Sequence, residues 1–503
     1  MAHAQSAIPT ATLHENPFTI IAKKVIGHDL LIENAFGKKN LIYADWIASG
    51  RFYEPIERLM SDYFGPLVGN THSESSLTGE AMTMAYKMAH DIIKNHVNAS
   101  TDDVFLATGS GMTSAIAKLQ RILGLHIPEK AKPFFVQPPS ERPVVFITHM
   151  EHHSNHTSWL ECEVDVVVIP PDEKLMVDPK SLERELIKYQ DRKIKIGSFT
   201  ACSNVTGIFT PVHQLSAVMH HYGGLCFIDF AASAPYADMN MHPEKREESF
   251  DAIFFSPHKF LGGPGSAGVL IFNKSLYQNR VPDQPGGGTV MWTNPWGGHH
   301  YIEDIETRED GGTPAFLQTI RAALAIRLKE QMGTENIRRR EDRLLDIVFR
   351  ELQTIPGLVI LAPEINHRLG VLSFYIEHVH YNFIVRALSD HFGIQVRGGC
   401  SCAGTYGHYL LHVSEEQSKE ITSKIDSGDL SLKPGWVRLS LHPVMTENEV
   451  LYICDAIRYL ALHADQLLKA YHYSVKTNEF YPLQPMSDLK NKLQQWFDLK
   501  LNT

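Results

Sequence analysis

The sequence predicts an α/β protein with a largely parallel sheet, and three observations carry that expectation. Between about residues 103 and 256, short apolar runs alternate with helical patterns. Two of the runs end on an ionisable residue: Asp229 closes "LCFIDF", and Lys259 follows "FDAIFFSPH". Beyond residue 314 the pattern changes to long helices leading into a second, smaller set of strands and helices.

The elements follow in order. "DVFLATG" reads as a strand and "MTSAIAKLQRILGL" as the helix after it. "RPVVFITHM" and "EVDVVVIPP" are strands, "SLERELIKYQ" a helix, "IKIGSFTAC" a strand, "PVHQLSAVMHHYG" a helix, and "LCFIDFA" and "FDAIFFS" strands. Apolar runs with helices between them imply a sheet covered on both faces, whose ligands bind at the carboxyl ends of the strands. The stretch "PAFLQTIRAALAIRLKEQMGTENIRRREDRLLDIVFRELQTI" reads as one long and one further helix. After it, "LVILAP", "RLGVLSFYI", "NFIVRALSDHFG", "IQVRGG" and "WVRLSL" make a small α+β unit closed by a helix over "ENEVLYICDAIRYLALHADQLLKAY". Polar residues 412–435 read as a surface insertion with one short helix. The expected division is an N-terminal segment, 1–40, packing on the small domain; a large domain, 41–330; a small domain, 331–471; and a weakly patterned tail, 472–503.

Composition narrows the function classes. The chain has 503 residues, 43% of them hydrophobic and 21% charged, enough to bury a large interior. A formal charge of −10 argues against a general nucleic-acid-binding field. No apolar run approaches the roughly 18 residues of a membrane span, and "MAHAQSAIPTATLHENPF" lacks a basic segment followed by an apolar one. The expected location is the cytoplasm. Six cysteines in so long a chain are too sparse for a disulfide scaffold. Cys162, Cys202, Cys226 and Cys454 sit in apolar or strand-like contexts, whereas Cys400 and Cys402 lie in the polar, glycine-rich "VRGGCSCAG".

An amine and a carboxylate at the ends of two strands can face one ligand. Pyridoxal phosphate needs that pair: a lysine to form the Schiff base, and a carboxylate to keep the pyridine nitrogen protonated. Its phosphate wants backbone N–H groups at a helix start, and "ATGSGMTSAIAKL" supplies a glycine-rich turn opening into a helix, with Gly111, Met112 and Thr113 as candidates. Ser256 and His258 add donors. The four histidines of "HMEHHSNH" suggest a metal, but only some can converge after a strand, and no metal site is expected.

The ordered set "GMTSA", "MEHHSNHTSW", "SNVTG", "CFIDFAASAP", "SPHKFLGGPGSAGVLI", "GGTP" and "VRGGCSCAG" resembles the class V aminotransferase family of fold-type I pyridoxal-phosphate enzymes, nearest its cysteine desulfurase and selenocysteine lyase branch. The likeness covers about residues 40 to 465 and implies a seven-stranded-type sheet. It implies that Lys259 carries the cofactor, that Asp229 pairs with the ring nitrogen, that His152 stacks on the ring and that Asn204 sits near the cofactor hydroxyl. Thr313 matches a threonine that reaches the phosphate of a neighbouring subunit, which implies a homodimer. Where the family usually has a glutamine three positions after the aspartate, this chain has Ala232, followed by Ser233.

Arg438 matches the arginine that grips a substrate carboxylate, against the alternative of a strand arginine paired to a nearby acid. Arg397 is expected to hold the cysteine loop or a partner chain. His72, in "GNTHSESS", resembles an element near the substrate pocket, or caps a turn. Cys402 falls on the position of the desulfurase nucleophile, with glycines that let the loop swing. The implied reaction converts cysteine to alanine and an enzyme persulfide, with a sulfur-acceptor protein as partner. The alternative is an aminotransferase, epimerase or other lyase in which Cys400 and Cys402 are bystanders.

Overall fold

The computed structural model describes residues 17–71, 74–135, 138–484 and 489–498. His72 lies outside the described residues. The centre of the large domain is a seven-stranded sheet whose strands, in chain order, are β1 (Asp103–Thr108), β2 (Val144–Thr148), β3 (Asp165–Ile169), β4 (Lys195–Thr200), β5 (Leu225–Asp229), β6 (Ala252–Phe255) and β7 (Gly268–Asn273). In space they run β1-β7-β6-β5-β4-β2-β3. All are parallel except β7, which is antiparallel to both β1 and β6.

The apolar runs are continuous because both faces are covered. Val144 and Phe146 point into one core while Val145 and Ile147 point into the other; Ile253 and Phe255 divide from Ala252 and Phe254 in the same way. Crossover helices Pro179–Lys188 and Val212–His221 connect the parallel strands.

The long helix Phe316–Met332 and the helix Thr334–Leu352, joined at Gly333 (φ 74°), lead to the small domain. Its antiparallel sheet contains β8 (Leu358–Ile360), β9 (Val371–Ile376), β10 (Arg397–Gly399) and β11 (Trp436–Ser440), in the order β8-β9-β11-β10. The chain's early residues close against this unit: Ile42–Tyr43 pairs in parallel with Ile394–Gln395, and Asp45 bridges to Ser440. Residues 412–435 contain one exposed helix, Glu415–Asp426, with a Ser414/Gln417 capping box. The weakly patterned tail has a definite start: strands Tyr471–Ser474 and Glu479–Pro482 form a hairpin whose Phe480 and Asn478 pack on the helix Tyr381–Phe392. No helix among the described residues is long and apolar enough to cross a membrane.

Candidate active site

A cavity of about 270 Å³ opens at the carboxyl ends of the parallel strands, where an open α/β sheet places its ligands. Each strand end delivers one functional side chain. Asp229 is the last residue of β5, and its Oδ1 accepts the Ala231 N–H at 2.8 Å. Lys259 sits on a single 3-10 turn, Pro257–Lys259, directly after β6. Three residues after β1 the chain turns into the helix Met112–Ile122, and the Met112 N–H donates to Ser256 Oγ at 2.8 Å. Gly111 is small because it must be: a Cβ there would stand 2.9 Å from Ser256 Oγ.

His152 follows β2 and caps the helix His153–Leu160, its Nδ1 accepting the Ser154 N–H at 3.1 Å. Ser154 Oγ in turn meets Thr113 Oγ1 at 2.7 Å, tying the two helix starts together. The other histidines of the cluster disperse. His149 bonds the Leu175 carbonyl, while His153 Nε2 accepts the Gly404 N–H at 3.0 Å and His156 meets Thr405. Among the described residues no three His, Cys, Asp or Glu side chains converge as a metal site requires.

The electrostatics follow from burial. The Lys259 amine is pushed down to about 8, first by burial, with the Asp229 carboxylate opposing the shift. Asp229 is pushed up to about 6 by burial, against the Ala231 N–H and Lys259. Burial and the Lys259 charge drive His152 down to about 3 and His258 down to about 4, so both rings are neutral at pH 7.

The small domain supplies the opposite wall. Arg438, on β11, is 3% exposed; its Nη2 donates to Asp45 Oδ1 at 2.8 Å and its Nη1 to the Asn204 carbonyl at 3.2 Å, while Nε has no partner. Arg397 stands directly across the β10–β11 pair from Arg438 and also lines the cavity. Among the described residues its guanidinium makes no hydrogen bond or ion pair, and it faces the cavity rather than the cysteine loop's backbone. The cysteine loop is held by other groups. Asn204 Nδ2 donates to the Ser401 carbonyl at 2.7 Å, and the His153 N–H donates to the Cys402 carbonyl at 2.7 Å. These bonds dock a loop expected to swing. Gly398 serves close packing, since a Cβ there would meet Asn382 at 2.5 Å, while Gly399 supplies a backbone at φ 106° that a side chain would strain. Cys402 lines the cavity and lies near enough to Arg438 for their charges to interact.

The cavity therefore gathers most of the residues singled out in the sequence. Gly111, Met112, Thr113, Ser256, His258, Asp229, Lys259, His152, Asn204, Cys402 and Arg438 all line it, with His258 beside the Gly111 turn. Thr313 is exposed and does not line it. Neither does any residue of the 412–435 insertion, so that segment does not shape this pocket. Ala232 lines the cavity but Ser233 does not; the Ser233 hydroxyl is buried without a partner and does not replace the missing amide. Sequence reasoning missed Ile47 and Ala48, which line the cavity from a segment with no motif of its own, and Asp45, which stands behind it as the partner of Arg438.

The donor set fits pyridoxal phosphate. The helix start around Gly111 leaves room and N–H groups for a phosphate, Asp229 and Lys259 provide the buried carboxylate and amine, and Asn204 Oδ1 is a buried acceptor still lacking a partner. Fold and site together define a class, the fold-type I pyridoxal-phosphate enzymes. A family model described as aminotransferase class-V matches residues 42–453; the chain belongs to that family and is a pyridoxal-phosphate-dependent enzyme.

The chain is 27% identical over 390 residues to a probable cysteine desulfurase of Staphylococcus epidermidis, a match spanning 76% of this chain and 87% of that one. It is 26% identical over 371 residues to a probable cysteine desulfurase of Halalkalibacterium halodurans, spanning 72% and 84%. Among solved structures, the apo cysteine desulfurase of Thermococcus onnurineus NA1 superposes with a TM-score of 0.70 at 22% identity, covering 88% of this chain and 98% of that one. The cysteine desulfurase CsdA of Escherichia coli superposes with a TM-score of 0.65, also at 22% identity, covering 84% and 94%.

Proposed function

We propose that the chain is a cysteine desulfurase that converts cysteine to alanine and leaves the sulfur on Cys402. The observation that carries this reading is the placement of a thiol, Cys402, on the wall of the same cavity as the Lys259 amine and the Arg438 guanidinium. Cys202 also borders the cavity, but it is buried and its Sγ donates to the Gly207 carbonyl at 3.0 Å, which leaves Cys402 as the thiol able to meet a substrate. The probable cysteine desulfurases above, similar over most of their length, support the same choice.

Bound pyridoxal phosphate supplies an electron sink that loosens the bonds to the substrate α-carbon. The free amides of the helix start, with the Thr113 hydroxyl and a Ser256 hydroxyl oriented by the Met112 N–H, would hold its phosphate. Asp229 holds the ring-nitrogen proton, and a cation opposite that carboxylate brings its raised pKa back down. The ring of His152, neutral at working pH, offers a flat face for stacking rather than a proton donor. Lys259 Nζ, neutral in an appreciable fraction at pH 7, takes the α-proton and returns it. Arg438 binds the substrate carboxylate through the part of its fork that Asp45 leaves open. The Cys402 thiolate attacks the substrate sulfur. An S–S bond forms as the C–S bond breaks, and the electron pair stays with carbon, which takes a proton to become alanine.

Thr313, exposed on its own chain, is placed in this reading at the phosphate of a second copy, which makes the enzyme a homodimer. Six cysteines without a disulfide suit a reducing compartment, the cytoplasm. A sulfur-acceptor protein completes the turnover. The test is the variant Cys402→Ala, incubated with cysteine while the cofactor absorbance, alanine and released sulfide are followed. The absorbance is retained and sulfide release is abolished; sulfide release at the wild-type rate would remove Cys402 from the reaction.

A further inference from the structure

The cysteine loop is bent into a shape its residues do not prefer. Residues Cys400 to Ala403 form a turn closed by the Ala403 N–H donating to the Cys400 carbonyl at 3.0 Å. Both central residues are left-handed, Ser401 at φ 51° and Cys402 at φ 56°. Glycine and asparagine take that conformation readily, whereas serine and cysteine are strained in it and keep it only where neighbours hold the backbone. Groups outside the turn must therefore fix Cys402.

One residue supplies two of the bonds. His153 opens the helix His153–Leu160, where a main-chain N–H has no partner within the helix. That N–H donates to the Cys402 carbonyl at 2.7 Å. The imidazole of the same residue reaches the same stretch of loop, and its Nε2 accepts the Gly404 N–H at 3.0 Å. The two bonds grip the main chain on both sides of Ala403, directly after the residue that bears the thiol. The fit is close, since a Cβ on Gly404 would stand 3.2 Å from His153 Nε2. On the other side of Cys402, Asn204 Nδ2 fixes the Ser401 carbonyl. An imidazole accepts at Nε2 only while that nitrogen carries no proton. Burial, and the Lys433 charge in the same direction, hold the His153 pKa below the ordinary histidine value, so the ring is neutral at pH 7 and its proton sits on Nδ1. The residue before it, His152, lines the cofactor cavity, and His153 does not. Consecutive residues thus face the ring site and the loop.

We propose that His153 is the positioning residue of the thiol: gripping the loop beside Cys402 from the residue next to His152, it registers the Cys402 sulfur against a substrate held at the cofactor ring. It touches neither substrate nor cofactor and acts only through the loop. Without the Nε2 acceptor the Gly404 N–H loses its partner, the left-handed turn relaxes, and the sulfur spends less time in line with the bond it must break.

The assignment rests on the reading that Cys402 takes the sulfur, and the experiment separates the two. Holoenzyme is compared with His153→Phe, which keeps a flat ring without a nitrogen, and with His153→Gln, whose amide oxygen can take the Gly404 N–H. Amide hydrogen exchange is followed in peptides spanning residues 400–405, and alanine formation is followed with cysteine and dithiothreitol. Exchange of the alanine α-hydrogen in heavy water is measured beside them, because that step uses Lys259 and no thiol. In His153→Phe the loop peptides exchange about tenfold faster and kcat for cysteine falls about tenfold, the worth of one hydrogen bond. KM, cofactor absorbance and α-hydrogen exchange keep their wild-type values, and His153→Gln recovers most of both losses. Gly404→Ala loosens the same grip from the loop side and shows the same split, which keeps the test decisive should the phenylalanine variant fail to fold. Unchanged loop exchange, wild-type kcat, or α-hydrogen exchange that falls in step with kcat overturns the assignment and leaves the parent reading standing. Sulfide released at the wild-type rate by Cys402→Ala overturns the parent reading and the assignment with it.

Discussion

Raising the pH of the cofactor-free protein from 6.5 to 9.5 neutralises Lys259 well before an ordinary lysine. Burial lowers this amine from 10.5 to about 8, so it is charged below that value and neutral above it. At pH 7 about one molecule in ten carries the neutral amine, against roughly one in three thousand for an amine titrating at 10.5, an enrichment of about 300-fold. The groups around it pull both ways: Asp229 and Asp45 favour the charged form, and Arg438 and Arg397 the neutral one. Trace acetic anhydride reads the neutral fraction directly when modification at Lys259 is followed by peptide mapping beside an added N-acetyl-lysine standard. The Lys259 rate rises about tenfold per pH unit up to roughly pH 8 and then levels, while the standard keeps rising through pH 9.5. A Lys259 rate that climbs in parallel with the standard across the whole range would refute the claim that burial outweighs the Asp229 charge.

Two further outcomes follow from the same wall-by-wall geometry. Gly111→Ala places a Cβ 2.9 Å from Ser256 Oγ on a backbone that tolerates it, φ being 176°. Displacing that hydroxyl from the phosphate end weakens pyridoxal-phosphate affinity by about ten- to a hundredfold, the worth of one or two hydrogen bonds to a charged group, as equilibrium dialysis would measure. Asp45→Asn removes the partner of a buried guanidinium and lowers unfolding stability by about 3 kcal/mol in denaturant titration. Added alanine stabilises the variant as it does the wild type, since its carboxylate uses the side of Arg438 that Asp45 leaves open; a larger response in the variant would show that Asp45 and the ligand compete for one side.

How much of this was legible in the sequence depended on where each signal came from. The strands of the large sheet announced themselves because burial on both faces demands unbroken apolar runs, and Asp229 and Lys259 were visible as ionisable residues interrupting those runs at their ends. Arg397 was not read as a cavity residue, nor Asp45 as the partner of Arg438, because each reaches its place through pairing between distant segments, Asp45 beside Ser440 and Arg397 across from Arg438. No local spacing encodes such a meeting. The hairpin Tyr471–Ser474 with Glu479–Pro482 escaped for a related reason: its packing is one-sided and its aromatic residues show no clean alternation. The Cys400–Ala403 turn violates local preference outright by placing serine and cysteine where φ is positive, and turn rules built on glycine and asparagine pass over it.

The ion pair of Asp45 with Arg438 spans 393 positions of chain. A ribosome emits the acid 393 positions before the arginine, so the pocket's substrate wall has no counterpart to close on until β11 has emerged. The large domain can gather around its sheet during that interval, yet a nascent polypeptide halted before β11 would lack Arg438 and leave Asp45 without its cation. Competence to grip a carboxylate thus arrives in a single event, when two distant stretches of chain first meet.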